Sequence, residues 1–441
     1  MFQKGDVVDL VGGGRVEILD KLGEGGQGIV YKVLLDGKEY ALKWYTNSAI
    51  SNNDTFYKNL KVNINSGSPS AKFLWPLYLT QKQNGSYGYI MNLRPAGYNE
   101  FSEFLVAKKV FFDSHVAQIN AAINITEAFR DLHRKGYSYQ DLNDGNFFIN
   151  SKSGDVLICD NDNVAANGEN LGVKGKARYM APEIVRNISS PDKYSDYFSL
   201  AVILFELMFF SHPLEGERVI KHPCLTEEIE LKLYGKEPIF IFDPQNNANR
   251  PVDGVHNNAI TFWKKYPEFI KDIFRKAFSY KAMDSNDLDA ARHKRVIDND
   301  WRKAFVSLRS MLVMCPGCSN ELFLNMNGET KCTNKKCSRT IQKLNWISFL
   351  DDKYKIPIYP GVKIYKCMTD DLSDDISTVV GEISTHPTKP GVLGLKNNDI
   401  LPWEIVLKDG SFKMLEPGKN ISIGTIAEIK FKRDCLAKII N

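Results

Sequence analysis

The chain has 441 residues, 43% of them hydrophobic and 25% charged, with a net charge of +4. These are the proportions of a soluble globular protein of two or three domains, each long enough to bury its own core, and the charge balance is too mild to demand nucleic acid. The longest apolar stretch, Leu200 to Phe210 (LAVILFELMFF), is too short to cross a bilayer and carries Glu206, so it reads as a buried helix.

The first residues, MFQKGDVVDLVGGG, have neither the apolar segment nor the small-residue cleavage site of a secretory signal, and a cytoplasmic location is expected. From about Val7 to Lys43 short β-type runs (VVDL, VEILDKL, IVYKVLL, EYALKWY) alternate with glycine turns. One turn, Gly23-Glu24-Gly25-Gly26-Gln27-Gly28-Ile29-Val30, fits G-x-G-x-x-G-x-V. It joins two strands rather than opening a helix. That disfavours dinucleotide binding and favours a hairpin whose backbone N–H groups lie over nucleotide phosphates. Thirteen residues beyond Val30, Tyr40-Ala41-Leu42-Lys43 places a lysine inside an apolar strand. A lone strand lysine is a solvated edge residue; after this loop it is a phosphate contact.

From about Ala117 the apolar period changes to 3.6, with Ile119, Ala122, Ile123, Ile125, Ala128, Phe129 and Leu132 on one helical face that ends at Gly136. A small β-rich lobe therefore precedes a larger helical one. Then come YSYQDLNDGNF, with Asp141 five residues before Asn146, then CDNDN around Asp160, GKARYMAPE up to Glu183, and SDYFSLAVILFEL from Ser195.

Of the eight cysteines, Cys159, Cys224, Cys367 and Cys435 are scattered and read as plain thiols. Cys315, Cys318, Cys332 and Cys337 form C-x2-C-x13-C-x4-C. Four thiolates in paired knuckles suit tetrahedral Zn²⁺ in a closed, structural site, with iron–sulfur ligation the less favoured alternative. Lys331, Lys335, Lys336, Arg339 and Lys343 around it offer charge to nucleic acid, but such a run reads first as a solvated face, and protein docking or simple folding of the module is favoured over nucleic acid. Ile356 to Phe431 returns to short strands with turns at Pro360-Gly361, Asp409-Gly410 and Pro417-Gly418, a small all-β module.

In their order and spacing, Gly23 to Gly28, Lys43, Asp141, Asn146, Asp160, Ala181-Pro182-Glu183 and Asp196 resemble the protein kinase family over Val16 to Met311. The resemblance implies an α+β, bilobal kinase-like fold and ATP- and Mg²⁺-dependent transfer of the γ-phosphate to a protein hydroxyl, serine or threonine favoured. It implies that Asp141 accepts the hydroxyl proton, that Asn146 and Asp160 hold Mg²⁺, and that Lys43 contacts the phosphates. Val30, Ala41, a gatekeeper Met91 and the hinge Asn92-Leu93-Arg94 would enclose adenine, and Glu183 would pair with Arg295 as a structural bridge. The expected domains are a kinase domain over 1–311 (amino-terminal lobe about 1–91, carboxy-terminal lobe about 95–311), a zinc ribbon over 312–350 and a β-rich module over 355–441. The last loosely resembles degenerate forkhead-associated β-sandwiches but lacks an arginine and serine pair for phosphothreonine.

The chain departs from that family at contacting positions. No glutamate lies between Lys43 and Arg94, Asn59 aligns best with the missing helix glutamate, and Asp160-Asn161-Asp162 replaces D-F-G. Asp162 or Asp54 is expected to take over as the carboxylate near Lys43. Asn143 replaces a lysine while Lys176 replaces a threonine, so Lys176 is expected to supply positive charge beside Asp141. Gln140 replaces the arginine that gathers a phosphorylated loop residue, and Asp160 to Arg178 contains no Ser, Thr or Tyr, so activity is expected to be independent of activation-loop phosphorylation. Tyr139 stands for a histidine and is expected to fill its place.

With SGSPSAKFLWP (Ser66 to Pro76), CDNDN and the appended zinc ribbon, the chain resembles bacterial kinases found beside von Willebrand A-domain proteins and metal-dependent phosphatases in tellurite-resistance-type gene clusters. That resemblance implies a von Willebrand A-domain substrate and a phosphatase antagonist. The rival expectations are a nucleotide-binding pseudokinase scaffold and a small-molecule kinase.

Overall fold

A computed structural model describes all residues except 107–111, 173–174, 284–286, 433–434 and 441. The chain divides into two compact units, one of Met1–Asp113, Asn120–Lys264 and Asp272–Asn299, the other of Ser114–Ile119, Lys265–Lys271 and Asp300–Asn441.

The first unit opens with an antiparallel sheet in the order β1-β2-β3-β4-β6-β5, built from β1 (Val7–Asp9), β2 (Arg15–Glu24), β3 (Gly28–Leu35), β4 (Lys38–Tyr45), β5 (Tyr78–Leu79) and β6 (Gly88–Asn92). Alternation decides which face is buried: Ile29, Tyr31, Val33 and Leu35 of β3 all point into one core. The glycine turn requires Gly28, because a Cβ there would stand 2.1 Å from the Trp44 carbonyl oxygen. The register then sets the site, with Val30 opposite Lys43, Ala41 opposite Met91 and Lys43 opposite Tyr89.

After a single turn, α1 (Ser48–Ser51), helix α2 (Asp54–Ser66) begins at Asn53, whose side chain accepts from Phe56 N–H. It ends at Gly67, whose φ of +70° only glycine adopts freely. Phe56 and Leu60 enter the core together with the polar Asn59 and Asn63.

The helical lobe follows: β7 (Asn99–Glu100), α3 (Phe101–Leu105), α4 (His115–Arg134), then the short strands β8 (Tyr137–Tyr139), β9 (Phe147–Ile149), β10 (Val156–Ile158) and β11 (Val164–Ala166). Strands β9 and β10 pair, as do β8 and β11, so the catalytic-loop and CDNDN segments leave adjacent hairpins. Beyond α5 (Pro182–Val185), α6 (Lys193–Phe209) is the expected buried helix, started by a reciprocal Asp192–Ser195 cap and buried throughout Leu200 to Phe209. The expected Glu183–Arg295 pair is present, bidentate at 2.8 and 2.7 Å and buried. Between them these elements give the expected α+β bilobal plan.

The helix Asp298–Ser310, in the second unit from Asp300 on, leads into two hairpins, β12 (Leu312–Met314) with β13 (Glu321–Phe323) and β14 (Thr330–Lys331) with β15 (Thr340–Ile341). The rest is β16 (Trp346–Phe349), β17 (Tyr354–Pro357), β18 (Lys363–Tyr365), β19 (Val379–Thr385), β20 (Leu393–Asn397), β21 (Trp403–Leu407), β22 (Phe412–Leu415), β23 (Asn420–Ser422), β24 (Ile426–Lys430) and β25 (Leu436–Ile440). They form a six-stranded sheet, β17-β16-β25-β24-β21-β22, and a four-stranded one, β18-β19-β20-β23. Residues 346–349, inside the expected ribbon, are a strand of the larger sheet, pairing with both β17 and β25.

Candidate active site

Lys43 is buried, and its ammonium has three side-chain acceptors: Asp162 at 3.0 Å, Asp160 at 3.2 Å and Gln27 at 2.7 Å. Burial works against its charge, but the fields of Asp160 and Asp162 outweigh burial and raise its pKa above the ordinary lysine value. Of the two candidate carboxylates, Asp162 is the one at the lysine; Asp54 makes no ion pair with it among the described residues. Asn59 does not reach Lys43 either. Its amide and that of Asn63 both donate to the Val164 carbonyl, at 2.7 and 2.8 Å, tying α2 to the start of β11.

Asp160 adopts left-handed backbone angles, φ 53° and ψ 38°, and its side chain is 40% exposed, turned toward the cleft while Asp162 is wholly enclosed. Asn161, where D-F-G has its phenylalanine, is buried and donates to the carbonyls of Leu74 (2.9 Å) and Ile158 (2.8 Å). A polar clamp on two backbone segments thus occupies an apolar position.

Asp141 and Asn146 are joined through Asn143. The Asn143 amide donates to the Asp141 carboxylate at 3.1 Å, and its backbone N–H donates to Asn146 Oδ1 at 2.9 Å. Cys159 N–H donates to the Asn146 carbonyl at 2.9 Å, which holds the Asp160 segment against the catalytic loop. Burial pushes the Asp141 carboxyl up to about 6, opposed by the Asn143 hydrogen bond and the fields of Lys176 and Lys43. Lys176 itself pairs with Asp144 at 3.0 Å on a side chain 55% exposed; its field reaches Asp141, but no bond joins them among the described residues.

Gln140 and Tyr139 have definite work. Gln140 donates from Nε2 to the Glu169 carbonyl and accepts from Leu171 N–H at 2.9 Å, so one neutral amide holds the activation segment. Tyr139 donates its hydroxyl to the Cys159 carbonyl, and its N–H donates to Asp196 at 2.7 Å. Asp196 in turn accepts from His133, whose other ring nitrogen bonds Asp298 at 2.8 Å. Burial disfavours the imidazolium, but Asp298 and Asp196 outweigh it and push His133 up to about 9.

Beside these polar groups lies an apolar slot. Half-buried Val30, Leu93 and Phe148 pack on a cluster containing Ala41, Met91 and Cys159, and the Arg94 guanidinium lies 4.2 Å from the Phe148 ring centre. Phe148 was not among the residues picked from the motifs. Its place two residues after Asn146, on a strand pairing with β10, is the signal that points to it. The whole suits a nucleotide: an apolar slot for a base, a glycine turn and lysine for phosphates, and the hard oxygen donors Asp160 and Asn146 for Mg²⁺.

Cys315, Cys318, Cys332 and Cys337 converge, every sulfur within 4.8 Å of the others, with 3.8 Å between Cys315 and Cys337 and 3.6 Å between Cys318 and Cys332. Four sulfurs at the usual ~2.3 Å from one Zn²⁺ stand about 3.8 Å apart, so the set fits that ion. Backbone N–H groups of Gly317 and Cys318 lower the Cys315 thiol to about 7. A Cβ at Gly317 would stand 2.6 Å from Arg339 Cγ and 3.3 Å from Cys337 Sγ, so any other residue there would have to displace the Arg339 side chain.

The cleft is thus that of a nucleotide-dependent phosphotransferase fold. The family model described as Protein kinase domain matches residues 16–277, more than half of the chain, and the chain belongs to that family. Among curated relatives, the human ribosomal protein S6 kinase alpha-4 is 27% identical over 216 residues, 46% of this chain and 27% of that protein. The "Probable serine/threonine-protein kinase PknB" of Corynebacterium glutamicum is 27% identical over 215 residues, 46% of this chain and 32% of that one. The chain spans less than half the length of either relative. Among solved structures, the Mycobacterium tuberculosis PknI kinase domain aligns with a TM-score of 0.45 and 15% identity, covering 69% of this chain and 98% of that one.

Proposed function

We propose that the protein is an ATP- and Mg²⁺-dependent protein kinase that phosphorylates serine or threonine and works without activation-loop phosphorylation. The observation that supports this reading is the set of Lys43, Asp160, Asp141, Asn143 and Asn146, the residues at the kinase motif positions, linked by an ion pair and hydrogen bonds. In this reading Val30, Ala41, Met91, Asn92, Leu93 and Phe148 receive the base, and the backbone of Gly23, Glu24, Gly25, Gly26, Gln27 and Gly28 covers the phosphates. Lys43 orients the phosphates, and Asp160 and Asn146 hold Mg²⁺, which when bound neutralises charge on them. Asp141, aimed by the Asn143 amide, takes the proton of the acceptor hydroxyl. Lys176 adds positive field at Asp141 from its seat on Asp144.

The Gln140 clamp supports independence from phosphorylation, because the loop is held by an amide where other kinases use an arginine and an added phosphate. A polypeptide acceptor is favoured by a groove of about 660 Å³ beside the activation segment, whose lining includes Lys176, Arg178, Arg186, Glu227, Glu228 and Glu230. A von Willebrand A-domain substrate opposed by a metal-dependent phosphatase belongs to this reading, as do a cytoplasmic location and a structural Zn²⁺ on the four cysteines. No described helix is long and apolar enough to cross a membrane. The test is transfer of label from γ-labelled ATP to a panel of von Willebrand A-domain proteins and generic acceptors, with Asp141→Ala as control. Transfer only by wild type is expected; nucleotide binding without transfer to any acceptor favours the scaffold.

A further inference from the structure

A carboxylate taken wholly out of water loses its hydration, a cost offset only when it is paired and its oxygens are satisfied. Asp162 is 0% exposed and meets that demand fully. Its Oδ2 accepts from Lys43 at 3.0 Å and from the Tyr45 hydroxyl at 2.6 Å; its Oδ1 accepts from Lys43 at 3.2 Å and from the Tyr89 hydroxyl at 3.2 Å. Both tyrosines are fully buried, and neither belongs to the kinase motifs. Tyr45 lies two residues after Lys43 on β4, so the two side chains share a face, and Tyr89 sits opposite Lys43 on β6. All three donors therefore come from one sheet. Helix α2 contributes none of them, its Asn59 and Asn63 amides being committed to the Val164 carbonyl.

We propose that Tyr45 and Tyr89 are positioning residues that hold Asp162 as the partner of Lys43, so that the sheet and the Asp160–Asn163 turn, not helix α2, set the phosphate-binding lysine. In kinases generally, control is exerted by moving a helix that carries the lysine's glutamate. Here the partner carboxylate is two residues from Asp160, so one turn seats both the lysine's partner and the Mg²⁺ ligand. Helix α2 braces this arrangement, with Phe56 against the Tyr45 ring and Asn59 and Asn63 on the Val164 carbonyl, but among the described residues it gives the Asp162 carboxylate no hydrogen bond. This deepens the reading of the cleft as a nucleotide site and rests on it.

The experiment is a mutant cycle on the full chain, read as affinity for Mg²⁺ and a fluorescent N-methylanthraniloyl ATP, with thermal midpoints to confirm folding. Tyr45→Phe is expected to weaken binding about five- to tenfold and Tyr89→Phe, whose bond is longer, about threefold, less than the full worth of a hydrogen bond to a charged group because Asp162 keeps its other donors. In an Asp162→Asn background neither should cost anything further, since both act through that carboxylate. Asn59→Ala, which loosens α2, should stay within twofold of wild type. Equal losses in both backgrounds, no loss in either, or an Asn59→Ala loss as large as that of Asp162→Asn overturns the proposal. Label transfer on the same preparations separates the two readings: wild type that binds nucleotide and transfers nothing removes the kinase reading and leaves the cycle readable. Folded wild type that binds no nucleotide overturns both.

Discussion

As the proposed base, Asp141 could take a proton only when ionised, and burial has brought its carboxyl up to about 6. The rate should therefore fall as pH drops through about 6. Lys176→Ala removes a positive field that lowers the Asp141 pKa, so it should move that acid limb upward. It should also lower kcat only about fivefold without changing nucleotide affinity, because an ammonium 55% exposed and paired with Asp144 acts through solvent. A pH–rate profile of both proteins checks this; an unchanged limb removes Lys176 from the site. His133 gives an independent sign. Its pKa is raised from 6.5 to about 9 by Asp298 and Asp196 despite burial, so its contribution is full below about 6.5 and is lost as pH climbs through about 9. Melting curves should show on the order of 3 kcal/mol draining away across that window, and His133→Gln should flatten the loss.

At the scale of elements, the activation segment is held at its start by Gln140 and by the Asn59 and Asn63 tether on Val164. Gln140→Ala should speed proteolytic cleavage near Glu169 to Leu171 and lower kcat several-fold; Gln140→Arg, which has donors but no acceptor for Leu171 N–H, should not restore the clamp. Equal cleavage rates in wild type and Gln140→Ala would contradict this. The strand-turn-strand entry, the lysine strand, the catalytic loop and the buried helix α6 were legible in the sequence, because phosphate and metal chemistry fixes residue types at fixed spacings and burial fixes periodicity. The partners of the departures were less so. Asp162 meets Tyr45 117 positions away and Tyr89 73 positions away, and Gln140 meets Glu169 across a loop. No local pattern encodes such pairings. Lys176 shows the same limit: its arrival opposite Asn143 was visible, but its preference for Asp144 was decided by the fold. The membership of 346–349 in the large sheet likewise depends on β25, some ninety residues later.

For the molecule as a whole, the four cysteines offer a separable test. Zn²⁺ on them should give one equivalent per chain, and chelation or Cys332→Ser should lower the melting point of the second unit; absence of bound metal from freshly purified protein would contradict the assignment. The Asp141 site stands in the first unit, so nucleotide affinity should survive chelation within about twofold. A cleft rebuilt at Gln140, Asn143, Asn161 and Asp162 should still transfer phosphate with nothing added to its activation segment. The most direct measurement is the initial rate of label transfer from γ-labelled ATP by protein shown by mass spectrometry to carry no phosphate between Asp160 and Arg178. Wild-type transfer at a rate unaffected by prior phosphatase treatment, lost at least a hundredfold in Asp141→Ala, is the predicted result. Transfer that appears only after phosphorylation by another kinase, or that Asp141→Ala retains, would contradict it.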